Sequence, residues 1–162
     1  MSIWSHILLN SIIFGPSPTV ALGSLVVDTF DYANWIRNFS NKKVSFKLFR
    51  KDPQTFDRLT DQGVIWGIHQ ILNYSVITLV VTTVLAVYFY GSGRTSLFLF
   101  CASFLTHMVT DYFTHQYFYP LFPSKKVKCK FCLPFYKQNS FKTIFSIDFI
   151  LLVILLFRLT QH

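Results

Sequence analysis

Residues 76–90 read Val-Ile-Thr-Leu-Val-Val-Thr-Thr-Val-Leu-Ala-Val-Tyr-Phe-Tyr, a run without one charged side chain. Taken from residue 64 onward, the stretch is long enough to cross a bilayer, which needs about 20 residues. It stops at Gly91-Ser92-Gly93, a turn signal. Two further stretches have the same character: 96–119, which runs into Pro120 and Pro123, and 141–159. The N-terminal stretch, 3–27, is equally apolar but carries Gly15-Pro16-Ser17-Pro18 in its middle. Proline removes a backbone donor and clashes with the preceding helical turn. The stretch is therefore either one kinked span or two half-helices, 3–14 and 19–30, joined by a turn at membrane depth. Such a turn is tolerated only where it is buried in protein or faces water. The expected fold is all-α: an integral membrane helical bundle of about four hydrophobic segments, forming one domain over 1–162, with the first segment a broken half-helix hairpin.

Composition agrees. Hydrophobic residues make up 52% of the chain and charged residues 14%, against about 25% charged in an average soluble domain. Mean hydropathy is +0.42. The net charge of +8 would suit nucleic acid, but its distribution points elsewhere. Nearly all Lys and Arg fall in two loops, 31–61 and 123–140, between apolar segments. That is the pattern of juxtamembrane loops. With three spans after the first loop, both basic loops lie on one side. By the positive-inside rule that side is cytoplasmic, which places the chain in a cytoplasmic (inner) membrane. Cys129-Lys-Phe-Cys132 is a lone pair in the second loop, short of the four ligands of a structural zinc site.

The acids carry the chemical signal. Every acid is Asp; Glu is absent. Asp28, Asp31, Asp111 and Asp148 lie in or against apolar segments. An ionisable group at the centre of a membrane helix costs about 2.5–3.5 kcal/mol, and such groups pair with partners or mark function. The densest stretch is Phe104-Leu-Thr-His-Met-Val-Thr-Asp-Tyr-Phe-Thr-His115. His107, Asp111 and His115 recur every four residues, which aligns them on one helix face. A His and an Asp one turn apart can hold one metal ion together, and these ligand types suit zinc, manganese or iron.

Topology brings partners to the same depth. Asp28 and Asp31 close the first segment at its basic-loop end, and His69 opens the next at that end. Asp111 and His115 approach it in the third, and Asp148 stands in the second turn of the last. His6 would lie at the far face of a single span. A hairpin turning between Pro16 and Ser17 pairs residue 6 with residue 27 instead and sets His6 beside Asp28, which favours the half-helix arrangement. Asp148 has three readings: a place in the site, a salt bridge to a loop Lys, or a favourable charge at its helix N-terminus.

These residues resemble the YdjM-type family of membrane-bound proteins regarded as metal-dependent hydrolases. The family pattern has an early His, here His6. A Leu-Gly-Ser-Leu-Leu-Pro-Asp type segment follows, here Leu22-Gly23-Ser24-Leu25-Val26-Val27-Asp28 with Asp31 close behind. The third element, His-Arg-Gly-x-Thr-His-Ser, reads His69-Gln70-Ile71-Leu72-Asn73-Tyr74-Ser75. The fourth reads Thr106-His107-Met108-Val109-Thr110-Asp111-Tyr112-Phe113-Thr114, then Tyr119-Pro120-Leu121-Phe122-Pro123. Val27 replaces the Pro before the first Asp, and Asn73-Tyr74 replaces Thr-His.

The resemblance implies that His6, Asp28, His69, His107 and Asp111 hold one or two divalent ions, zinc or alternatively manganese. In a hydrolase built on these residues, Asp31 or His115 serves as general base or orients a ligand. The expected activity is hydrolysis of a lipid or phosphoester at the cytoplasmic membrane face, with membrane lipids as partners and no nucleic acid. An acyl ester stays open as substrate. Two other readings stand beside it. Intramembrane Asp and His also build ion or proton pathways, which would need a homo-oligomer of so short a chain. The change at Tyr74 suits a non-catalytic protein with a structural or vestigial metal.

Overall fold

The computed structural model describes residues 3–41, 44, 45, 47, 48, 59, 60, 63–114, 120, 121 and 141–161. Among these, the regular structure is helical throughout, as expected. In chain order the helices are α1 (Ile3–Phe14), α2 (Pro18–Ser40), α3 (Gly63–Tyr74), α4 (Val76–Gly91), α5 (Thr95–Thr114) and α6 (Phe141–Leu159). Most of the basic loops, the Cys129/Cys132 pair and His115 lie outside the described residues.

The break in the first apolar stretch is local chemistry. Gly15 has φ +87°, a left-handed conformation that costs a glycine little. Its N–H donates to the Ser11 carbonyl at 3.0 Å and closes α1. Ser17 then caps α2, its Oγ accepting from Val20 N at 3.2 Å, and Pro18 takes the first helical position, where no N–H is needed. The two helices pack on each other. Asn10 Nδ2 donates to Ser24 Oγ at 2.7 Å. One turn outward on each arm, the same register sets His6 against Asp28. The hairpin expected from the sequence is therefore the arrangement found.

Two boundaries differ from expectation. Helix α2 runs on to Ser40 through residues read as loop. Its second half is held by Asn34 Nδ2, which donates to the Thr60 carbonyl at 2.8 Å, and by Asn38 Nδ2, which donates to the Asn34 carbonyl at 2.8 Å. The stretch 64–90, read as one span, is two helices bent by 51°. Ser75 is extended (φ −74°, ψ 131°) and caps α4, its Oγ accepting from Ile77 N. Val76 N donates to the Pro120 carbonyl at 3.0 Å instead of continuing α3. Thr78 Oγ1 donates back across the break to the Ile71 carbonyl at 2.7 Å. A serine that caps and a distant carbonyl that captures the next N–H leave no bond for a continuous helix.

Helix α5 is the hub, with α1, α2, α3 and α4 packed around it, while α6 packs on α1. By length and composition α5 is apolar enough to cross a bilayer over Thr95–Phe113, and α3 with α4 passes the same test together. The apolar core is small: Val27, Phe104 and Met108, with Val26, Leu72 and Leu79 against them. Helices α2 and α5 approach most closely at Gly23, where an added Cβ would lie 2.5 Å from the Phe100 carbonyl oxygen and 3.0 Å from Ser103 Cβ. Backbone cannot rotate away as a side chain can. Gly23→Ala is expected to destabilise the fold by about 1–3 kcal/mol, read as a lower unfolding midpoint in detergent. Gly91→Ala, where a Cβ meets nothing within 4 Å, is expected to leave the midpoint near wild type.

Candidate metal centre

The four donors arrive on three helices. The α1–α2 hairpin brings His6 and Asp28 to one end of the bundle, and α5 presents His107 and Asp111 one turn apart. One side-chain donor atom from each of the four lies within 4.8 Å of every other. His6 Nε2 is 3.0 Å from Asp111 Oδ1. His107 Nε2 is 3.2 Å from Asp111 Oδ2 and 3.5 Å from Asp28 Oδ1. Ligands about 2.1 Å from a tetrahedral ion stand roughly 3.4 Å apart, so these separations are those of a donor set around one centre.

The hydrogen bonding is compatible with a cluster that could hold a metal ion. His107 Nδ1 lies 2.7 Å from the Ser24 carbonyl oxygen. A carbonyl only accepts, so Nδ1 carries a proton, and in the neutral ring Nε2 presents its lone pair to the cluster. That is how second-shell carbonyls fix ligand imidazoles. Nε2 of both His6 and His107 and Oδ2 of Asp28 are buried without a hydrogen-bond partner among the described residues. Both Nε2 atoms stand within ion-pair distance of Asp111. The two rings stack at 3.8 Å with 17° between planes. Two imidazolium charges would repel strongly at that distance, whereas two neutral rings are the form that ligates metal.

A further set of side chains supports the donors. Asn73 Nδ2 donates to Asp111 Oδ2 at 2.6 Å, fixing the carboxylate from the end of α3. Asn10 Nδ2 donates to both Ser24 Oγ and, at 3.1 Å, the Ser103 carbonyl. It thereby ties α1 to the turn of α2 that carries His107's acceptor. Asn73 stood in the sequence as a departure from the family pattern, and Asn10 was passed over. Spacing could have found both: Asn10 lies one turn after His6, and Asn73 one turn after His69.

Four of the five expected ligands therefore meet. His69 stands apart from the four-donor group: its Nδ1 lies 3.4 Å from the Val27 carbonyl and its ring is edge-on to Tyr74 at 5.7 Å. Asp31 is half-buried on α2, one turn beyond Asp28 and within electrostatic reach of His69. Tyr74 is buried against His69, and Tyr112 Oη donates to its carbonyl at 3.1 Å.

No family model, curated protein or solved structure matches the chain. Its geometry carries the reading.

If Asn73 orients Asp111 as a ligand, Asn73→Ala is expected to weaken divalent-metal affinity about 10- to 100-fold, the usual cost of losing such a partner. Competition titration against a chromophoric chelator reads this directly.

Proposed function

We propose that the chain is a membrane-embedded, metal-dependent hydrolase of the YdjM type, acting on a lipid or phosphoester at the cytoplasmic face. The observation that carries the reading is the convergence of His6, Asp28, His107 and Asp111, with both ring Nε2 atoms buried and lacking a hydrogen bond. Two imidazoles and two carboxylates form a donor set suited to zinc or manganese.

A divalent ion held there supplies Lewis acidity toward a carbonyl or phosphoryl oxygen and acidifies water near neutral pH. The chain's own residues do the rest. Ser24 and Asn73 hold the ligand side chains in orientation. Asp28, 13% exposed on its side chain while the other three donors are at most 1% exposed, marks the side from which a substrate or water reaches the site. Asp31, one turn beyond it, is the carboxylate placed to take a proton there. His115, outside the described residues, is the alternative base.

The surface supports a bilayer setting. Large side chains of α4 such as Ile77 and Val87, and of α6 such as Phe149 and Phe157, are more than half exposed. A continuous apolar face of that kind marks a contact with lipid or protein. We place the four hydrophobic segments in the membrane with the basic loops in the cytoplasm. Asp111 lies three residues before the end of α5, about 5 Å along the axis, so the site sits near that face. Lysines of the loops would there meet anionic headgroups.

The sealing of three donors also suits a second reading, a structural ion without turnover, because catalytic sites keep an open position. Metal analysis and activity separate the two. Wild type purified in detergent is expected to carry near-stoichiometric divalent metal by mass spectrometry, lost in His107→Ala/Asp111→Ala. Metal-dependent release of product from phospholipid or phosphoester substrates then supports the hydrolase. Tight metal without turnover would favour the structural ion, and no metal after reloading with zinc and manganese would sink both. The chain is also expected to stay with the membrane pellet through carbonate washing; release into the supernatant would overturn the bilayer placement.

A further inference from the structure

Asp148 is the acid that the metal centre leaves over. It lies on α6 among apolar neighbours, with Phe145 and Phe149 both exposed. A carboxylate there is costly unless something holds it. Ser5 Oγ donates to Asp148 Oδ1, joining α6 to α1, the helix on which it packs.

Ser5 precedes His6, and both sit in the first turn of α1, which begins at Ile3. The first turn of a helix lacks intrahelical acceptors for its N–H groups. Helix α1 is short, 12 residues, and has no acidic residue in its first turn to favour the dipole. Yet its fourth residue must hold an imidazole still enough to stack on His107 at 3.8 Å. Inward, α1 is pinned by Asn10, one turn beyond His6. Outward, Asp148 reaches that first turn from α6 through Ser5, beside the contacts that His6 makes with Asp111 and His107.

Resting on the metal-site reading above, we propose that Asp148 is a positioning residue for His6: by accepting from Ser5 Oγ it docks the first turn of α1 on α6 and completes the four-ligand set. Helix α6 is then part of the metal centre's framework as well as a membrane segment. Asp148 touches no metal; it acts through the backbone that carries His6.

The test is a double-mutant cycle on metal affinity, with cobalt(II) as probe because its visible absorption reports the ligand set. Asp148→Ala in the full-length protein is expected to weaken cobalt binding about 10-fold, the lower range for loss of a ligand-supporting partner. Its spectrum should move toward that of His6→Ala. Asp148→Asn, whose amide oxygen still accepts from Ser5, should restore most of the affinity. In a His6→Ala background, Asp148→Ala should cost nothing further. Equal loss in both backgrounds would overturn the proposal, because Asp148 would then matter only to general packing. Wild-type affinity and spectrum in Asp148→Ala would overturn it too. If Asp148→Ala does not purify, Ser5→Ala removes the donor instead and carries the same expectations. Absence of cobalt binding by wild type is a different failure, that of the metal site itself.

Discussion

The carboxylate of Asp111 is 1% exposed, with His6 Nε2 3.0 Å from one oxygen and His107 Nε2 3.2 Å from the other. Asn73 donates to it from a third helix. A buried carboxylate away from water is costly unless charge or hydrogen bonds meet it on several sides. Here the partners come from α1, α3 and α5 itself, so satisfying one side chain obliges three helices to meet at one level. Small residues permit that meeting. Gly23 lets α2 lie against the α5 backbone, and the Ser24 carbonyl then reaches His107 Nδ1. The apolar cluster of Val27, Phe104 and Met108 packs at the same helix junction.

Both helix breaks serve this end. The reversal at Gly15–Ser17 returns His6 to the level of Asp28. The bend at Ser75 lets Asn73 end α3 beside Asp111 while α4 leaves at 51° to pack on α5. In each case a serine hydroxyl caps the following helix, so the free N–H groups of the break are partly met from within. Non-helical backbone at membrane depth is tolerated only where such partners exist. The Ser75 break is buried in protein, whereas the Gly15–Pro18 turn is partly exposed; if the bundle lies in a bilayer as proposed, that turn faces water.

Much was legible in the sequence because it depends on local rules. Helical periodicity and long apolar runs give an all-α chain without tertiary information. Gly15-Pro16-Ser17-Pro18 encodes its own turn, since φ, capping and the missing proline N–H are properties of those residues. His107 and Asp111 share a face because four residues make one turn, whatever surrounds them. The pairing of His6 with Asp28 followed from the position of that turn.

What the sequence could not show depends on contacts between distant segments. The run 64–90 carries no Lys, Arg, Asp or Glu, and the partner that fixes the break at Ser75 is remote: the Pro120 carbonyl that captures Val76 N lies 44 residues on. Helix α2 continues past its apolar stretch because Asn34 meets the Thr60 backbone. Asn73 read as a lost family residue until its amide was seen on Asp111. His69 was grouped with the ligands by its level in the bundle, yet depth does not fix azimuth, and its ring turns toward Val27 and Tyr74. The sequence by itself determined that the chain is helical, where the first helix pair reverses and which acids need partners, because propensity and spacing act over a few residues. Only the tertiary structure decided which partner each acid receives, because the rotation of one helix about its axis is set by the packing of all its neighbours.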